Sequence, residues 1–599
     1  MSHTFHIPVL GLGYTIDTPI KVAPYGISSV ASIVDDIAIE RIRAFYFDKI
    51  GKPYQEIKKT EEDSRAKRIT AYLNMMQDIV DDEFSAVKQS GFGEGSKLHT
   101  YFKLLPKESP LFQKYRQMLA ETDELKQLQM QDSLKNSICK GEIDVNIMAK
   151  VDKMNVDANG EIKEEIYSDA LAALRGFANS KLSSSVVLSA GMNPRLYSYL
   201  DNFSDFLPDE NQQLKKKVIL KVSDFRSAFI QAKFLAKKGI WISEFRVESG
   251  LNCGGHAFAT EGFLLGPILE EFKQKRAEMT LELFDLYQKA LALKNIQIIT
   301  APALKIGVQG GIGTADENQF LMNYYQMDAT GWGSPFLLVP EVTAVDDETL
   351  QDLALATEDD FYISGSSPLG IPFNNFKKSG AEKQRLKRIA EDKPGSPCTK
   401  KFLVSNTEFT KQPICTASRK YQSLKIKELK AEELPNDVYQ QKFEAITEKI
   451  CLCEGLVNSY YAKNNMLMPK ENKAVAICPG PNIAFFKGPY SLEQMVNHVY
   501  GKINLLEGVK RPHIFINELK LYIDYLRKDI EANLQIMNAK KEKSLNNFVA
   551  QLQNGINYYK DLASNFLKMN SISKADFENS LKEFELKLME IKNGLAAVN

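Results

Sequence analysis

KIGVQGGIGTADENQFLMNYYQMDATGWGSPFLLVPE, residues Lys305 to Glu341, is the stretch whose reading decides the fold. Lys305 to Gln309 is a short apolar-rich run that ends at Gly310-Gly311-Ile312-Gly313. Thr314 and Asp316 are then placed to cap a helix carrying Phe320, Leu321, Tyr324 and Tyr325 on its apolar side. About twenty residues further on, Thr330-Gly331-Trp332-Gly333-Ser334 repeats the strand-to-glycine-turn arrangement. Glycine lets backbone close on an anion, and the unpaired N–H groups of a helix start point at it. Two consecutive turns of this kind offer donors to one site, which is how an eight-stranded (β/α)8 barrel holds a phosphate with the loops after its seventh and eighth strands.

The paired turns resemble the terminal barrel units of the nitronate monooxygenase (2-nitropropane dioxygenase) family of FMN proteins, whose pattern is shared by flavin-type enoyl-acyl carrier protein reductases. Gly310, Gly311 and Ile312 match its first glycine motif, and Ala329, Gly331, Gly333 and Phe336 its second. Ser334 stands for the family's threonine, and Pro335 replaces its arginine. Pro19 to Ser28 is read as the first barrel strand, with Ala23, Pro24 and Gly26 loosely matching the family's opening. Asn146, in the strand Glu142 to Met148, matches the asparagine that approaches the flavin. Gly254-Gly255-His256 is similar to the family's E-A-G-G-H turn, in which the histidine serves as base or polarises the substrate; Asn252 falls where the family has glutamate. The resemblance spans Pro19 to Glu341. It implies an FMN-dependent oxidoreductase acting on a small carbanion-forming or unsaturated substrate. The alternatives are an enoyl-thioester-type reductase taking electrons from NAD(P)H, and a non-catalytic flavin-binding or helical partner-binding protein.

The remaining runs complete the barrel. Ser185 to Gly191, Lys217 to Ser223 and Trp241 to Val247 are buried-strand patterns, with an apolar-faced helix over Ala228 to Gly239. One short second strand has no clear place. Lys221 interrupts an apolar strand and needs either an anionic partner, such as the N1–C2=O edge of a reduced flavin, or solvent at the barrel end. Arg246 on the neighbouring strand is its substitute. The fold class is therefore α/β: a (β/α)8 barrel over residues 1–345 with a charged helical insertion at about 51–140, broken by glycines at Gly91, Gly93 and Gly95. A connector and cysteine-containing segment follows over 346–490, and a mostly α-helical extension over 491–599. The apolar stripes of that extension suit either packing on the barrel or homo-oligomer formation, and Ser573 with Asp576 reads as a capping box.

At 599 residues the chain is too long for one barrel alone. Lys+Arg and Asp+Glu both number 76, so no global field points to nucleic acid, and no apolar run approaches a membrane span. A small molecule is the expected partner and the cytoplasm the expected location. Seven cysteines make no disulfide scaffold in a chain of this size. Cys139 and Cys253 stand apart, while Cys398, Cys415, Cys451, Cys453 and Cys478 follow the barrel. Thiolates grouped so could bind zinc or iron–sulfur, but there is a Cys-Leu-Cys and no Cys-x-x-Cys. Burial as small apolar side chains is the expectation, with no metal assigned.

Overall fold

The computed structural model describes residues 3–148, 152–157, 161–189, 191–253, 261–533, 538–565 and 574–597. Eight parallel strands close into a barrel in sequence order: β1 (Phe5–Ile7), β2 (Ser28–Ser32), β3 (Ile143–Ile147), β4 (Ser184–Leu188), β5 (Lys216–Val222), β6 (Ile242–Glu248), β7 (Lys305–Gln309) and β8 (Ala329–Gly331). β8 pairs back to β1, with Phe5 opposite Thr330. The alternation within β5 shows how the sequence builds this wall. Val218, Leu220 and Val222 join the main core under the helices, whereas Ile219 meets Val9, Val30 and Val187 in a separate apolar cluster.

The strands from β3 to β8 fall where their sequence patterns place them, but the first does not. Pro19 to Ser28 is not a strand: Thr18–Val22 is helical and Ala23–Tyr25 forms a 3₁₀ turn before β2. Proline in the first turn of each piece favours helix, because its missing N–H is unused there and would leave a gap in a central ladder. β1 is instead the three-residue FHI run before Pro8, and the strand that lacked a place is the serine-rich β2. Ala23, Pro24 and Gly26 consequently lie at the N-terminal entrance to β2, where Gly141, just before β3, donates its N–H to Ala23 O at 2.8 Å. They stand at the opposite end of the barrel from the strand C-termini.

The insertion between β2 and β3 is helical as expected, with helices Ser64–Gln89, Lys97–Leu104, Pro110–Ala120 and Glu124–Ser137 and a glycine-rich break after the first. Beyond the barrel come the antiparallel hairpin β9 (Phe361–Ser364) and β10 (Phe373–Phe376) and a set of short helices. The final helices are Ile514–Asn533, Ala539–Asn565 and Lys574–Ala597. Their apolar stripes, including Leu519, Ile523, Leu552, Ile556, Tyr559, Leu581 and Leu588, are buried within the chain. Tyr559 Oη accepts from the N–H of Gly266, at the start of the barrel helix Leu265–Ala292. The stripes on which the homo-oligomer expectation rested are thus used in intramolecular packing. Ser573 of the expected capping box lies outside the described residues. No described helix is long and apolar enough to cross a membrane.

Candidate active site

Register alone assembles a tier of side chains at the C-terminal mouth of the barrel. Glu248 lies opposite Gln309, Gln309 opposite Gly331, and Gly331 opposite His6. A side chain on Gly331 would strike Gln309 Cβ at 2.5 Å and His6 Nε2 at 3.0 Å, so glycine is what lets these two groups meet. They do so at 3.2 Å, His6 Nε2 to Gln309 Oε1. Gln309 Nε2 in turn donates to Glu248 Oε1 at 2.8 Å, and Lys221 Nζ reaches the same oxygen at 3.0 Å. The Asn252 side chain donates to it as well. Burial, reinforced by the nearby Arg246 charge, holds His6 well below the usual histidine value, so its ring is neutral at neutral pH.

Lys221 therefore finds its counter-charge in the protein, in Glu248, without calling on a ligand. Arg246 is not its substitute at the mouth. It turns into the barrel, where Nε meets Glu244 Oε1 at 2.8 Å and Nη2 crosses from β6 to Asp144 Oδ2 of β3 at 2.7 Å. Gly307 leaves the room for this, since a Cβ there would meet Glu244 Oε1 at 2.8 Å. On the far side of the mouth Asn146 is 8 % exposed, and its Oδ1 has no hydrogen-bond partner among the described residues. A buried amide oxygen without a donor is costly unless something supplies one.

The two glycine turns lie at this same end. Thr314 caps the helix Ala315–Asn323 as expected, accepting from the Glu317 N–H. Gly310 and Gly311 have φ of 103° and 80°, the left-handed region that glycine alone enters freely. A Cβ on Gly311 would stand 2.5 Å from Leu251 Cδ1, so the turn packs directly on the loop after β6. The anion position expected at the helix start is only partly open. The Gly313 N–H is spent on Glu317 Oε2 at 2.9 Å, and Arg511 from the C-terminal extension covers Gly313. Arg511 binds Glu317 Oε1 at 2.6 Å, Gly311 O at 2.6 Å and Asn482 Oδ1 at 2.7 Å. By contrast the N–H groups of Gly311, Ile312, Gly333 and Ser334 carry no hydrogen bond among the described residues. Four such donors on two facing turns, with Asn146 Oδ1 at the same mouth, fit a phosphorylated ligand that also presents an N–H, as FMN does.

The loop after β6 is held from outside the barrel. Glu518, on the helix Ile514–Asn533, accepts from Ser249 Oγ at 2.6 Å, Gly250 N at 3.3 Å and Leu265 N at 2.7 Å. It thereby grips both flanks of the stretch containing Gly254, Gly255 and His256, which lie outside the described residues. Burial lifts its carboxyl to about 7, against the pull of those three donors. His6, Glu248, Gln309, Arg511 and Glu518 were not read from the sequence as site residues. A histidine two residues before a proline and two polar residues closing apolar strands were the available signals for the first three; the last two lie on a distant segment and carried none.

No family model and no curated protein matches the sequence. Among solved structures, the chain is similar to the enoyl reductase domain of MlnA from the macrolactin biosynthesis cluster of Bacillus amyloliquefaciens, at 14% identity and a TM-score of 0.32 over 73% of this chain and 89% of that one. It is similar to FabK from Thermotoga maritima at 12% identity and a TM-score of 0.30, covering 68% and 86%. Nitroalkane oxidase from Streptomyces ansochromogenes matches at 9% identity and a TM-score of 0.28, covering 64% and 84%. The barrel assignment rests on the closed strand ladder itself.

Proposed function

We propose that this chain is an FMN-dependent barrel oxidoreductase acting on a small carbanion-forming or unsaturated substrate. The observation that carries the reading is the meeting, at one barrel mouth, of four backbone N–H groups on the β7 and β8 turns with Asn146 Oδ1, none of which has a hydrogen-bond partner among the described residues. Gly311, Ile312, Gly333 and Ser334 would hold the phosphate through backbone N–H groups, and Asn146 would take a donor from the ring system. FMN when bound supplies two-electron redox chemistry, which the protein orients. Glu248 fixes the Lys221 ammonium, the Gln309 amide and the Asn252 amide on one carboxylate, so the floor of the mouth is polar and preorganised. The neutral His6 ring backs Gln309. His256 is the residue we assign to moving the substrate proton, between the two loop flanks that Glu518 holds.

The test is an absorption spectrum of the purified full chain followed by titration with FMN. A flavin spectrum, or saturable FMN binding by colourless protein, is expected; protein that neither carries nor takes up FMN would end the reading. Anaerobic mixing with NADH or NADPH and with a nitronate then separates a reductase from a monooxygenase. The His256→Asn variant should keep its flavin and lose about 10²- to 10⁴-fold in substrate-dependent flavin reduction, the usual contribution of acid–base assistance.

A further inference from the structure

Four of the five later cysteines come together, away from the barrel mouth. Cys398, Cys415, Cys451 and Cys453 line one small enclosed cavity with Lys400 and Lys401, while Cys478 goes elsewhere, its carbonyl accepting from the Cys253 thiol at 3.3 Å. The convergence is built by the backbone. Asn406 and Ile414 exchange hydrogen bonds of 3.1 and 2.8 Å, closing the loop between Cys398 and Cys415. The Ser396 N–H donates to Ala417 O, and Arg419 N–H to Ser396 O, which ties the two cysteine segments side by side. Cys451 is the N-cap of the helix Leu452–Lys463, and Cys453 sits in its first turn. The partial positive charge of that helix start favours thiolate.

Backbone N–H groups near the four sulfurs favour their charged form: that of Lys401 at Cys398, Ala417 at Cys415, Glu454 at Cys451 and Phe402 at Cys453. Cys398 lies beside Cys415, and Cys451 beside Cys453. Cys398 itself is held at φ 59°, a left-handed conformation unusual for a non-glycine residue. Thiols buried merely as apolar side chains need neither N–H donors nor lysine neighbours. N–H groups aimed at sulfur are among the means by which proteins tune thiolate-bound metals.

From this juxtaposition we infer that Cys398, Cys415, Cys451 and Cys453 form a four-thiolate site for a thiophilic metal. The cavity is about the size of one water molecule, which suits a single zinc-class ion better than a four-iron core. Among the described residues no group of three or more His, Cys, Asp or Glu side chains has the geometry to hold a metal ion as it stands, so binding would have to draw the two thiol pairs together. The site is tied to two barrel loops. Leu456, on the helix that Cys451 caps, accepts the Gly13 N–H from the loop after β1, and Lys400 pairs at 2.5 Å with Asp35, the cap of the helix after β2. Metal binding here would fix the post-barrel segment onto those two loops.

The full chain, purified under thiol-protecting anaerobic conditions without chelator, is analysed for zinc, iron and acid-labile sulfide. About one zinc per chain supports a single-ion site. Iron with matching sulfide also supports the four-thiolate site, with a cluster in place of the ion. Cys398→Ser and Cys451→Ser should each lower metal content at least about 10-fold, the effect expected of losing a ligand or its partner, while Cys253→Ser and Cys478→Ser should not. Should the ligand variants fold poorly, wild-type protein stripped by chelator and mixed with cobalt(II) gives the same answer. A thiolate-to-metal absorption band at one equivalent is expected. Protected protein that contains no zinc or iron and develops no such band overturns the proposal, as does metal retained in full by both ligand variants. Flavin content is read separately, so this outcome and that of the FMN titration are independent.

Discussion

Two neighbouring loops at the barrel mouth are each tied to the C-terminal extension through a fully buried carboxylate, and the two carboxylates are held in opposite ways. At the β7 turn Glu317 is ion-paired with Arg511. Burial by itself would raise its carboxyl, but Arg511, His513 and the Gly313 N–H outweigh burial and hold it below the usual glutamate value. At the β6 loop Glu518 has one hydroxyl and two N–H donors and no cation among its named partners, and burial prevails. Both positions are 1 to 2 % exposed. The difference teaches that burial does not fix the charge of a carboxylate; the partner does. The turn expected to hold phosphate is pinned by an ion pair, and the residues Ser249, Gly250 and Leu265 by a group whose value lies near neutrality.

Breaking the ion pair should have the largest effect. Arg511→Met leaves Glu317 charged, buried and unpaired, and should cost about 3–5 kcal/mol in urea unfolding. Adding Glu317→Gln removes the charge and keeps an acceptor for one of the Gly313 and Ile514 N–H groups, so the double variant should recover part of that loss. A double variant no more stable than the single would show that the pair is not what holds this turn.

The β6 loop answers to pH instead. Glu518 has a folded value of about 7, above the ordinary 4.5, so between those values the folded chain binds more protons than the unfolded one. Its contribution is fully present below about 4.5 and is lost as pH rises through about 7, on the order of 3 kcal/mol in all. Unfolding free energies of wild type and Glu518→Gln, measured from pH 5 to 8, should therefore converge or cross as pH rises. A constant difference across the window would mean that Glu518 does not titrate in the folded chain.

The smallest effect belongs to the contact between the two loops. Gly311→Ala places a Cβ against Leu251 at a φ of 80°, and should cost about 1–3 kcal/mol. Leu251→Gly in the same chain removes the Cδ1, Cγ and Cβ contacts and should relieve the steric part while leaving the backbone part, which stability measurements on the single and double variants against a Leu251→Gly reference would separate. Bound FMN, on the proposed reading, should weaken in the single variant.

Most of the barrel was legible because its signals are local. β7 runs over the residues its pattern marks, Thr314 caps the helix it precedes, and the apolar runs of β3 to β6 are long enough to stand out. β1 and β2 were missed for an equally local reason. Three residues before a proline and a serine-rich run of five have too little apolar pattern, and Pro19 to Ser28 offered a better-looking but false one. The sequence leaves Lys221 to meet either an anion or solvent; in the structure it meets Glu248, which the sequence had no means of naming.

What the sequence determined by itself, then, is the order of strands and turns and the glycines that shape the mouth, because backbone conformation depends on near neighbours. Only the tertiary structure decided which charges meet. Glu518 reaches Ser249 across 269 residues and Arg511 reaches Glu317 across 194, and a chain folded differently between them would leave each pair apart. The four thiols show the same division: their spacing along the chain argues against a metal, and their common cavity argues for one. Side-chain chemistry is written in the sequence, but proximity is set by the packing of the whole chain.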